Sequence, residues 1–96
     1  MLVRLLYVSR ALDKNAQGAI ESILESSRAY NMTNGITGVL CYGGDIFLQA
    51  IEGGRHAVNG LYNHIAKDER HTDVVMLHYE EIRERRFGGW TMGQVN

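Results

Sequence analysis

Tyr7 and Gln49 carry hydrogen-bonding groups inside stretches that otherwise have the makings of a core. Around the glutamine, strand periodicity sets Phe47, Gln49 and Ile51 on one face and Ile46, Leu48 and Ala50 on the other. A primary amide has two donor hydrogens and an acceptor oxygen, and burying it without partners costs ~1–3 kcal/mol. The first strand offers a partner, because Val3, Leu5, Tyr7 and Ser9 share a face and a phenol can donate to or accept from an amide. Spacing alone favours a plainer arrangement, with the tyrosine hydroxyl reaching the surface and the glutamine on an exposed edge.

Ile23, Ser27 and Asn31 recur at i, i+4 and i+8 along one side of a first helix, and Asn31 doubles as a helix terminator. Ile23 and Ile65, one from each helix stripe, are apolar walls that would leave a gap for a planar ligand; equally, their spacing is that of ordinary core. His56, His64, His71 and His78 have neither the i, i+4 spacing nor the cysteine partners of a zinc site, so no metal is expected. Cys41 is the only thiol and falls on an apolar strand with no evident activating base, where it reads as a small buried hydrophobe. No GxSxG elbow or phosphate-binding glycine loop occurs, and the chain does not read as an enzyme.

The elements that must position these residues are read from periodicity and punctuation. Leu2 to Ser9 reads as a central strand. Asp13 and Asn15 offer capping before a helix carrying Ala16, Ile20, Ile23, Leu24 and Ser27 to about Tyr30, and the run Asn31 to Gly35 stops it. Ile36 to Tyr42 and Asp45 to Glu52 make a hairpin about Gly43-Gly44. A second helix carries Val58, Leu61, Tyr62 and Ile65; Lys67 to Asp73 is a charged loop, Val74 to Tyr79 a strand, and Trp90 to Val95 a last strand after the Arg83 to Gly89 connection. The fold class is α+β, a ferredoxin-like βαββαβ order with an additional C-terminal strand. Right-handed crossovers put its two helices on one face of a mixed sheet.

At 96 residues the chain has room for one core, and its hydrophobic fraction of 45% is that of a globular protein. No stretch reaches the ~20 apolar residues of a membrane span. Ten Lys+Arg against eleven Asp+Glu give a net charge of −1, which provides no basic field for nucleic acid or anionic lipid. With no signal-peptide pattern at Met1 to Leu6, the expected location is cytoplasmic.

Five separated motifs resemble the BLUF family of blue-light sensors that use a flavin, and the resemblance covers almost the whole chain. They are Leu5-Leu6-Tyr7-Val8-Ser9; Asn31 with Gly35-Ile36-Thr37-Gly38-Val39-Leu40; Phe47-Leu48-Gln49-Ala50-Ile51-Glu52-Gly53; Asp68-Glu69-Arg70-His71; and Arg85-Arg86-Phe87-Gly88-Gly89-Trp90-Thr91-Met92. The resemblance implies a flavin-binding photosensory domain over residues 1–96. Its cofactor is FAD, with FMN and riboflavin as alternatives, held between the helices. Ile23 and Ile65 become its walls, Asn31 bonds the polar edge of the ring, Ser27 lines the pocket, and Asp68, Arg70 and His71 close the outer rim. Tyr7 is implied to give an electron and a proton after excitation, and Gln49 to be left rotated or tautomerised.

Trp90 and Met92, on one face of the last strand by alternation, become the output lever toward an unidentified effector protein. Homo-oligomers through the uncovered sheet face are a further expectation. Tyr30 stands where some members have histidine, and Gly88 where a proline is common. Two other functions on this topology fit less well. An acylphosphatase-like hydrolase needs glycines that Ser9-Arg10-Ala11-Leu12-Asp13 lacks, and an RNA-recognition module needs paired aromatics and a basic sheet face.

Overall fold

The computed structural model describes residues 1–12 and 17–95; the expected caps Asp13 and Asn15, together with Ala16 and the Ile20 side chain, lie outside the described residues. In chain order the elements are β1 (Leu2–Ala11), α1 (Gln17–Asn34), β2 (Thr37–Gly43), β3 (Ile46–Gly54), α2 (Arg55–Lys67), β4 (His71–Ile82) and β5 (Gly93–Val95). They form one sheet in the order β4-β1-β3-β2-β5, in which β2 and β5 pair parallel and every other neighbouring pair is antiparallel. This is the expected βαββαβ order with its extra strand.

Alternation along β1 is strict. Val3, Leu5, Tyr7 and Ser9 are buried, whereas Leu2, Arg4, Leu6 and Val8 are only half-buried on the reverse face. Phe47, Gln49 and Ile51 of β3 join the buried set, and the same core takes Leu24 from α1 with Val58 and Leu61 from α2. Both helices therefore cover one face of the sheet. No described helix is long and apolar enough to cross a membrane.

Several boundaries differ from expectation. The strand expected at Val74 to Tyr79 runs as β4 from His71 to Ile82, so the latter part of the expected Lys67 to Asp73 loop is strand paired with β1. The first helix does not stop at Asn31 but continues to Asn34, because the residue able to leave the helix is Gly35, at φ 66°. The hairpin turns at Gly44-Asp45 rather than Gly43-Gly44, since Gly43 still pairs with Ile46 and Gly44 carries the positive φ of 61°. The last strand begins at Gly93, so Trp90 and Met92 precede it. A turn in which Trp90 N–H donates to Phe87 carbonyl at 3.0 Å breaks the extended backbone that alternation requires.

Candidate functional site

Tyr7 and Gln49 stand directly opposite each other in the β1–β3 register, and Leu40 of β2 stands opposite Gln49 on its other side. Both polar side chains are buried, Tyr7 at 3% and Gln49 at 2% exposure, so the pairing overturns the plainer surface arrangement. The phenol donates to Gln49 Oε1, and Gln49 Nε2 donates to Met92 Sδ at 3.3 Å. A thioether can accept a hydrogen bond but has no hydrogen to give, so this amide orientation is the one that satisfies both neighbours. One N–H of the amide is left over for a ligand. Burial pushes the Tyr7 phenol far above the usual tyrosine range, with the nearby Asp68 charge and Tyr62 adding to the effect.

A cavity of about 400 Å³ opens beside this pair between the two helices. That volume is within the ~300–1,000 Å³ range of small-molecule sites. Among its lining residues are Tyr7, Gln49, Ile23, Ser27, Ile65, Asp68, Arg70 and His71, which brings together eight side chains singled out from sequence. Asn31, Trp90 and Met92 are not among them. The two isoleucines come one from each helix, as apolar walls would.

At the rim Arg70 Nε donates to Asp68 Oδ1 at 2.9 Å, and Arg70 NH1 reaches Ser22 Oγ of α1 at 3.1 Å. The guanidinium thus ties the end of α2 to the opposite helix. Its hydrogen bonds hold the Asp68 carboxyl below the ordinary carboxylate range and raise the arginine in turn. His71 lines the cavity with both ring nitrogens already bonded to the protein. Its Nε2 lies 2.6 Å from Ile65 carbonyl and Nδ1 lies 2.8 Å from Ser9 Oγ. A carbonyl can only accept, so Nε2 carries the hydrogen and, in the neutral ring, Nδ1 accepts from serine. Both nitrogens are committed, and the ring packs edge-on against Tyr7.

Asn31 is fully buried one turn beyond Ser27; its Nδ2 donates to Thr91 carbonyl at 2.6 Å, while Oδ1 has no partner. A buried acceptor without a donor costs ~1–3 kcal/mol, and an imide N–H of a planar heterocycle would satisfy it. The donor set therefore fits a flavin: apolar walls, an orphaned acceptor, a spare amide hydrogen and basic groups at the mouth.

The expected common face for Trp90 and Met92 is not formed. Met92 is 2% exposed against Gln49, whereas Trp90 is 47% exposed and stacks on Phe87 at 6.1 Å. Sequence reasoning also missed residues that complete the cavity: Tyr30, Phe47, Leu61, His64 and Lys67. His64 and Lys67 fall on the same side of α2 as Ile65 and Asp68, so the helical stripe held that signal. Glu52 was missed as a buried group altogether, and it is fully buried beneath the 85–87 segment.

A family model described as sensors of blue-light using FAD matches residues 2–93. Photoactivated adenylate cyclase subunit beta of Euglena longa is 36% identical over 92 residues, which are 95% of this chain but 11% of that protein. The dark-state structure of BlrB, a BLUF protein, superposes with a TM-score of 0.94 at 40% identity, covering 98% of this chain and 71% of that one. Klebsiella pneumoniae BlrP1 with FMN and cyclic diGMP superposes at 0.91 with 32% identity, over 100% of this chain and 26% of that one. The chain thus spans about a tenth of the length of the first curated relatives it matches.

Proposed function

The chain belongs to the BLUF family of blue-light sensors, and on that premise we propose that Tyr7 and Gln49 form its light-responsive pair, with Met92 and Trp90 carrying the response outward. The observation that carries this reading is the buried chain of hydrogen bonds from the Tyr7 phenol through the Gln49 amide to Met92 Sδ, of which Tyr7 and Gln49 line the cavity.

When bound, a flavin supplies the absorber of blue light and an acceptor for an electron. Ile23 and Ile65 would hold its plane, the unpartnered Asn31 Oδ1 would offer an acceptor for a ring N–H, Ser27 would line the pocket, and Asp68 with Arg70 would keep the rim closed. His71, a lining residue whose ring packs edge-on against Tyr7, would orient the phenol. The basic groups His64, Lys67 and Arg70 around the mouth favour a flavin with phosphate, FAD or FMN, over riboflavin.

Tyr7 is placed to yield an electron and to pass its phenolic proton to Gln49 Oε1. The amide can respond by turning, or by keeping the proton on Oε1 while one from Nε2 returns with the electron to Tyr7, which restores the phenol and leaves the imidic tautomer. Rotation sets a carbonyl lone pair against a thioether that has no hydrogen to offer, so the Gln49–Met92 bond is lost. The Met92 side chain is then free to reposition on a backbone held by Asn31 at Thr91 and by Arg28 at Met92. The signal leaves by that route to an effector; the photoactivated adenylate cyclase subunits, of which the match is about a tenth, extend far beyond this stretch.

Light-minus-dark absorption of the flavin-loaded chain tests the reading. Wild type should show a small red shift that recovers in the dark. Gln49→Leu and Tyr7→Phe should bind flavin and lose it. Retention of the full shift in either variant refutes the assigned pair.

A further inference from the structure

Glu52 lies three residues along β3 from Gln49, on the sheet face turned away from the cavity, and is fully buried. Its carboxylate accepts from Arg4 Nε at 2.8 Å, pairs with Arg4 NH2 at 2.8 Å, and accepts the backbone N–H groups of Arg86 at 3.0 Å and Phe87 at 2.8 Å. Arg85 reinforces the grip, donating to Thr37 Oγ1 at 2.9 Å and to Gly35 carbonyl at 2.7 Å.

The grip at Arg86 and Phe87 opens a run of contacts that ends where Asn31 Nδ2 and Arg28 Nε bond the Thr91 and Met92 carbonyls at 2.6 and 3.2 Å. Phe87 accepts the Trp90 N–H at 3.0 Å and stacks on its indole, and Trp90 carbonyl accepts Gly38 N–H at 2.9 Å. The indole then lies over Gly93, where an added Cβ would stand 2.3 Å from Trp90 Cε3. With Trp90 parked outside, Met92 turns inward to Gln49. Burial by itself argues for the reverse, because an indole has more apolar surface to remove from water than a thioether chain. A restraint must hold it out.

We propose that Glu52 is a positioning residue of the sensor: by fixing the backbone at Arg86 and Phe87 it sets Met92, rather than Trp90, against Gln49. It acts through the 86–92 backbone, not by contact with the pair. Its consequence for signalling rests on the photoactive reading above, whereas the placement itself belongs to the dark chain.

The test uses the full chain in the dark, so a failed light response cannot be confused with a failed placement. The single tryptophan makes emission a report on residue 90, and Met32, 73% exposed, is an internal standard for oxidation. In Glu52→Gln, Met92 oxidation by peroxide relative to Met32 should rise by ~10-fold or more as the segment opens locally. Acrylamide quenching of Trp90 should fall as the indole moves inward. Glu80→Gln, which removes the other carboxylate on Arg4 without touching the 86–87 backbone, should leave both readouts as in wild type. A purely structural role would lower the unfolding midpoint yet move neither readout well below it. Unchanged Met92 protection and Trp90 quenching in folded Glu52→Gln overturns the proposal. If that variant does not fold, Glu52→Asp decides by the same readouts, since its shorter carboxylate cannot span both N–H groups: altered values support the anchor and unaltered values overturn it.

Discussion

Tyr7 keeps its proton because ionising a buried phenol beside the Asp68 charge is costly, and this has a measurable consequence for stability. The unfolded chain releases that proton near the ordinary value of 10.0, whereas the folded chain retains it to higher pH. Above that point the folded state binds more protons than the unfolded one, so stability falls as pH rises; below it the contribution is fully present. Wild type should therefore lose stability above pH 10 more steeply than Tyr7→Phe, by up to ~1.4 kcal/mol per pH unit for a single group. Urea midpoints of the two proteins across that range check it, and parallel curves would contradict it. Strand parity put Tyr7 and Gln49 on otherwise apolar faces, but spacing alone favoured a surface pair, and it was the resemblance carried by the surrounding motifs that joined them. Glu52 was not legible in that way. A glutamate near a strand end reads as solvated, and what buries it is a segment more than thirty residues further along the chain.

Helix α1 shows where local pattern ends and tertiary demand begins. Asn31 has the chemistry of a terminator, yet its side chain is occupied with Thr91 carbonyl, sixty residues away, and the helix runs on to Gly35. Only Gly35 meets the left-handed backbone that closes the helix, at φ 66°. Gly35→Ala should cost ~1 kcal/mol from that strain, although no atom stands within 4 Å to clash with a methyl group. Urea unfolding measures the loss; equal stability would mean that the chain can close the helix elsewhere. The hairpin, both helices and the order of elements along the chain were readable from spacing because each element is a repeated local pattern. The last strand was not. Alternation from Trp90 onward presumes an extended chain, and the bonds at Phe87, Gly38 and Glu52 fold that segment back before β5 starts.

For the whole molecule, the cavity between the helices is a gap in a core that a 96-residue chain can ill spare. Small domains bury a modest fraction of their surface, so a planar ligand between Ile23 and Ile65 would complete the interior as well as equip it for light. A ligand that binds only the folded state adds ~2.7 kcal/mol at a hundredfold excess over its Kd. In a domain of this size each kcal/mol raises Tm by ~4–8 °C, so saturating FAD should lift Tm by ~10–20 °C. The phosphates sharpen this expectation, because His64, Lys67 and Arg70 surround the mouth of the cavity. At one fixed concentration FAD and FMN should raise Tm more than riboflavin, and added salt should narrow the difference by screening the charges. Thermal unfolding in the dark with each flavin in turn makes the comparison. No shift with any flavin would remove the cavity as the binding site. Equal shifts from all three would leave the ring site standing and exclude the basic mouth from recognition.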